Sequence, residues 1–202
     1  KDLLNYSNLY QKLIKPDASV QAIKDHIIRL NQLDYTVTYP FLMAVLHHRK
    51  TGKLSEQQTN DVLLLIETYI FRRLIVGLPS NTLNKVFATL DRDISKYQKN
   101  GEDYVEICKF ILLNKEQGAR LPDDDEFLEM LTGRNIYALN SRNKQYLFSR
   151  LENGNSKEQI NVIERMQNGE YTIEHVMPQS MNSQWKKDLG ADYQKIHSKW
   201  LH

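Results

Sequence analysis

The 202-residue sequence holds a single cysteine, Cys108, so no disulfide can close within the chain. That thiol lies in the apolar run Val105-Glu106-Ile107-Cys108-Lys109-Phe110-Ile111, with no evident base beside it, and reads as core rather than nucleophile. A lone thiol among aliphatic neighbours suits a reducing cytoplasm. Long hydrophobic runs are missing too. The longest, Val62 to Phe71, is interrupted by Glu67 and Thr68 and closed by Arg72-Arg73, short of the roughly 20 apolar residues a membrane span needs; no membrane is expected as a partner. Neither a signal peptide nor a methionine opens the chain, and its first residues already read as helix, as in a piece excised from a larger protein. No GxGxxG, GxxxxGK[ST], CxxC, HExxH or GxSxG pattern occurs, which sets aside a glycine-rich nucleotide loop and a structural zinc site. Charge of one sign is lacking as well: 27 basic against 25 acidic side chains leave a formal +2. A basic patch can sit on such an average, so bulk charge neither demands nor excludes nucleic acid.

What is present is ordinary for a globular protein with a core: 41% hydrophobic and 26% charged residues. The pattern is mainly α, a multi-helix bundle. Asp17 precedes the stripe Val20, Ile23, Ile27, Leu30; a second helix spans about 39–50 and stops at Gly52. Ser55 and Gln58 have capping-box spacing. The next helix, from Val62 to Val76, is apolar nearly all round and belongs at the centre of the bundle, ended by Gly77-Leu78-Pro79. Asn81 or Ser80 can cap a helix carrying Leu83, Val86, Phe87 and Leu90, and another covers about 102–115. After the break at 118–122, Pro122-Asp123-Asp124-Asp125 opens a helix; more follow at about 141–152 and 156–166, the last with Ser156 and Gln159 at capping-box spacing. Only 172–177 (Thr-Ile-Glu-His-Val-Met) is short, alternating and β-prone, ended by Pro178. Helical spacing then returns from Ser183 to Leu201. Two regions result: a helical bundle over 1–118, and a helical lead-in with a further motif over 119–202.

Several residues invite chemical readings. Asp123 to Asp125 read as a helix cap, because carboxylates favour the positive helix end and consecutive ones diverge. His47 and His48, adjacent in a last helical turn, do not face one another and make no metal pair. Arg72-Arg73 reads as a structural anchor ahead of a phosphate clamp. Between Arg134 and Arg150 stand four basic side chains (Arg134, Arg142, Lys144, Arg150) and no acid, interleaved with Tyr137, Tyr146 and Phe148. Such a stretch could track a phosphate backbone; a solvated helix face with its aromatics in the core is the other reading. Glu174-His175 at the end of the short extended run, followed by Pro178, resembles the opening of an HNH-type site. There a histidine takes a proton from water while a divalent cation stabilises the scissile phosphate. Imidazole titrates near neutrality, and a hard cation wants oxygen ligands such as the Glu174 carboxylate. Neighbours in a strand point to opposite faces, so the two converge only if the backbone bends.

Tyr171 to Gln179 (YTIEHVMPQ), then Trp185 and Leu189-Gly190, resembles the C-terminal HNH-like domain of GmrSD-like restriction proteins. Ile66 to Arg73 (IETYIFRR), Asn81 to Phe87 (NTLNKVF), Leu121-Pro122 with Glu126-Phe127, and Ile136-Tyr137 continue the likeness, which spans roughly 35–202. The resemblance implies a modification-dependent or phage-directed DNA endonuclease with an N-terminal ParB-like nucleotide-hydrolysing domain that this chain lacks. By position, His175 would be the general base and Glu174 a neighbour of a divalent metal, Mg2+ in the first instance. The family pattern continues beyond His202 with a Gly-Asn-bearing strand and a closing helix that complete a ββα metal motif. The expectation is therefore a fragment, truncated at both ends, that binds metal weakly or not at all and cleaves nothing. Two other readings stay open: a non-catalytic helical module binding a partner domain or DNA, with Glu174-His175 structural, and a helical transcription regulator, for which no helix-turn-helix spacing stands out. Oligomeric state is not legible.

Overall fold

Side-chain caps and left-handed residues set the boundaries of many elements in the computed structural model, which describes residues 2–17, 20–98, 101–154 and 160–201. The chain is mainly α and divides into two compact units, Lys1–Gly133 and Arg134–His202.

The first unit comprises α1 (Asp2–Ile14), α2 (Gln21–Leu33), α3 (Tyr39–Lys50), α4 (Glu56–Val76), α5 (Leu83–Tyr97), α6 (Tyr104–Leu113) and α7 (Asp124–Gly133). Helix α4 starts with the expected capping box: the Ser55 hydroxyl accepts from the Gln58 amide at 3.1 Å, and the Gln58 side chain accepts from the Ser55 amide at 3.0 Å. It ends at Gly77 (φ +80°), where Leu78 N–H reaches Arg73 O and Gly77 N–H reaches Leu74 O, the paired bonds of a Schellman ending. Helix α4 packs against α2, α3, α6 and α7. Val62, Leu63, Ile66, Tyr69, Ile70 and Ile75 are fully buried along it, which makes it the centre its composition called for. Helix α5 corrects one expectation: neither Ser80 nor Asn81 caps it. Thr82 stands at the N-cap without a side-chain cap bond, because its hydroxyl donates to Gly118 O at 2.8 Å.

Two charged groups are buried in this unit. Arg73, 1% exposed, donates to Arg120 O (2.8 Å), Gly118 O (2.7 Å) and Pro79 O (2.8 Å), and lies 5.2 Å over the Tyr69 ring. It ties the segment before α7 to the end of α4 and serves as the structural anchor. Replacement by methionine strands three carbonyls at about 1–3 kcal/mol each. A loss of at least about 3 kcal/mol in urea unfolding is expected, and a loss below 1 kcal/mol would contradict this role. Arg72 donates to Pro122 O at 3.1 Å, pairs with Asp124 and covers the Phe127 ring. Glu67 of α4 receives His26 Nδ1 at 2.8 Å and Arg29 Nε at 2.9 Å from α2. Cys108 is fully buried, and burial pushes its thiol up to about 12, so it stays a protonated core residue. Asp123 caps α7 by accepting from the Glu126 amide at 2.9 Å. His48 Nε2 meets Asp91 at 2.8 Å while His47 stacks on Tyr6, so the two imidazoles have separate packing partners.

The second unit comprises α8 (Ser141–Asn153), α9 (Val162–Gln167), α10 (Ser183–Leu189) and α11 (Tyr193–Trp200). α8 packs on α9, and α10 on α11. Its core is small: Leu139, Tyr146, Leu147, Val162 and Ile163. Asn140, Asn161 and Asn182 cap α8, α9 and α10 through their side chains. The Ser156–Gln159 cap lies outside the described residues. No strand occurs among the described residues. The one expected over 172–177 is absent: residues 172–175 form no regular element, and the backbone bends at Val176-Met177. Thr172 and Ile173 favour extended backbone, but a strand also needs a hydrogen-bonded neighbour, and none lies alongside it among these residues.

Candidate functional site

Two flanking elements of the second unit hold the 172–175 run in place of a sheet. Before α8, residues Ile136–Ala138 form a single 3-10 turn, capped by the Asn135 side chain accepting from the Ala138 amide at 3.2 Å. That turn presents Tyr137, whose hydroxyl donates to Glu174 O at 3.2 Å. Its ring stacks on His175, centroids 3.6 Å apart and planes within 19°. From α11, His197 Nε2 lies 2.8 Å from Pro178 O. A carbonyl only accepts, so this nitrogen carries the proton. The backbone is thus fastened on both sides of His175.

The half-buried His175 ring keeps an accessible edge. Gln179 Nε2, a donor in the orientation shown, stands 3.5 Å from His175 Nε2, which makes that nitrogen the acceptor. An imidazole nitrogen that accepts there can take a proton from water once water replaces the Gln179 amide. Glu174 goes elsewhere: its carboxylate accepts from the Thr172 hydroxyl at 3.0 Å, two residues back on the same side of the run. The two neighbours therefore serve different partners. Glu174 also borders a pocket of about 330 Å³ lined by Phe148, Val162, Met166, Tyr171 and Ile173. Among the described residues that line it, Glu152 is the other charge and none is a cation.

A magnesium-type ion needs several oxygen ligands. Glu174 offers one carboxylate, and no group of three or more His, Cys, Asp or Glu side chains gathers anywhere among the described residues. These residues alone do not fit a complete cation cage.

The basic stretch is dispersed. Tyr146 is buried in the core and Tyr137 is engaged with His175, so the aromatics form no stacking platform of their own. Lys144 of α8 donates to Tyr137 O at 3.3 Å, joining the site's support. Arg142 and Arg150 are exposed on α8, and Arg134 is half-buried at the start of the unit. Sequence reasoning passed over Gln179 and His197 as parts of the site. A contact from position 137 to 175, or from 178 to 197, leaves no periodic signal.

Residues 121–202 match the family model for the C-terminal domain of GmrSD restriction endonucleases. That stretch is similar to a GmrSD C-terminal domain. The GmrSD match contains Tyr137, Glu174, His175, Gln179 and His197, and it begins within the first unit, ahead of α7. Residues 35–120, where the sequence resemblance also ran, lie outside it. The match covers less than half of the chain, and over that stretch the chain is similar to the C-terminal domain of restriction endonucleases. Comparison with curated proteins and with solved structures gives no match. No helix among the described residues is long and apolar enough to cross a membrane.

Proposed function

We propose that this GmrSD-like domain is the nuclease part of a modification-dependent or phage-defence restriction system, of HNH type, with His175 as general base on a DNA phosphodiester. The observation that carries this is the His175 imidazole, stacked on Tyr137 and with Nε2 3.5 Å from the Gln179 amide. Water gives its proton to Nε2, the hydroxide forms a bond to phosphorus, and the opposite P–O bond breaks to release a sugar alkoxide, which takes a proton from solvent water. A divalent cation, Mg2+ in the first instance, would supply positive charge at the scissile phosphate, with Glu174 as the residue to hold it. Because the described residues complete no cage, no step above passes through the ion. Arg134, Arg142, Lys144 and Arg150 are the proposed contacts to the DNA backbone. A ParB-like nucleotide-hydrolysing domain is the proposed partner, and the buried Cys108 thiol is consistent with the cytoplasm.

The test is cleavage of modified and unmodified plasmid, with magnesium and with chelator. The full-length protein is expected to cut only with the metal, and the 202-residue chain to cut nothing. Nicking by the 202-residue chain that disappears in His175→Ala would overturn its proposed inactivity. Metal-independent cutting by the full-length protein would overturn the cation's role.

A further inference from the structure

A general base works only if its ring is held in the attacking geometry. In a sheet that restraint comes from the hydrogen-bond ladder, which the 172–175 run does not have among the described residues. An imidazole on an unpaired run is free to turn about both side-chain torsions unless something else stops it. We infer that Tyr137 is the positioning residue for His175, fixing its ring by stacking and its backbone through the Glu174 carbonyl. This rests on the reading of His175 as base.

The two contacts are separate and come from one side chain. The phenol hydroxyl binds the carbonyl of the peptide that leads into His175, at 3.2 Å. The ring face meets the imidazole face at 3.6 Å and 19°, which blocks rotation of the imidazole about its last torsion. Tyr137 is itself fixed: its turn is capped by Asn135, and Lys144 of α8 grips its carbonyl. On the far side of the bend, His197 holds Pro178 O, so the run cannot swing away from the tyrosine. With Tyr137 over it, one imidazole face is closed to substrate and water. A tyrosine that only filled space would leave catalysis unchanged when replaced by an apolar side chain.

Three variants of the full-length protein separate these roles: His175→Ala, Tyr137→Leu and Tyr137→Phe. Tyr137→Leu is expected to lower kcat about 10- to 100-fold with KM unchanged. Tyr137→Phe, which keeps the stack and loses only the phenol bond, recovers most of that loss. In the 202-residue chain, NMR of His175 adds a readout besides activity. The aromatic ring current shifts the imidazole protons upfield; these resonances move downfield in Tyr137→Leu and hold their place in Tyr137→Phe. Wild-type kcat in Tyr137→Leu beside a dead His175→Ala overturns the inference and spares the base. Cleavage by His175→Ala at the wild-type rate overturns the base and the inference with it. Should Tyr137→Leu fail to fold, displaced His175 resonances in Tyr137→Phe overturn the stack as the restraint.

Discussion

Glu67→Ala is expected to lower the stability of the first unit by about 3–5 kcal/mol, because it leaves charged or polar partners buried with nothing opposite them. Glu67 is 1% exposed on α4, the helix around which α2, α3, α6 and α7 pack. His26 and Arg29, both from α2, close on its two oxygens at 2.8 and 2.9 Å. Burial pushes the Glu67 carboxyl upward, but the His26 hydrogen bond and the Arg29 charge outweigh it and hold it below the ordinary carboxylate range. The sign of the pH dependence follows. A carboxylate whose folded value is depressed contributes stability above the ordinary carboxylate range and loses it as pH falls through the folded value. Urea unfolding of the wild type should therefore weaken on the acid side more steeply than that of Glu67→Gln, the two curves converging at low pH. Parallel curves across that window would show that the pairing contributes nothing to the fold.

His175→Ala in the full-length protein is expected to reduce DNA cleavage by about 10²–10⁴-fold, the usual contribution of a positioned base. The fold should survive, since the ring is half-buried and stacks on the side chain of Tyr137. Circular dichroism and thermal unfolding should match the wild type, while plasmid nicking in magnesium falls to background. Unfolding of the second unit in this variant would recast His175 as a structural residue. The loss should exceed that from Arg150→Ala, which removes one proposed phosphate contact and would act on binding rather than on chemistry.

The parts of the fold written in local chemistry were legible in advance. Ser55 with Gln58, Gly77, and the Asp123 to Asp125 start of α7 are signals within a few residues of the backbone groups they satisfy, and each stands where its spacing placed it. The all-round apolar character of α4 gave its central position for the same reason. Contacts between distant positions were not legible. Glu67 reads in sequence as an interruption in an apolar run, although His26, 41 residues away, makes it a buried pairing site. Thr82 looked like a bystander to Ser80 and Asn81, since its hydroxyl partner, Gly118, comes from another segment. The 172–177 run shows how propensity and pairing differ. Its residues favour extended backbone, but strand formation is decided by a neighbour that local sequence does not contain. In the candidate site, His175 could be picked out by residue type and context, and its brace could not. Tyr137 sat in the sequence as one aromatic of a basic stretch, 38 positions from the imidazole it covers.

If the His175 imidazole itself accepts the proton, added imidazole should rescue a variant that lacks the ring. His175→Gly in the full-length protein, assayed on susceptible DNA with magnesium, should be nearly inert alone. It should regain cleavage in proportion to added neutral imidazole diffusing into the vacated space beside Tyr137. Wild-type cleavage by His175→Gly without imidazole would contradict the claim.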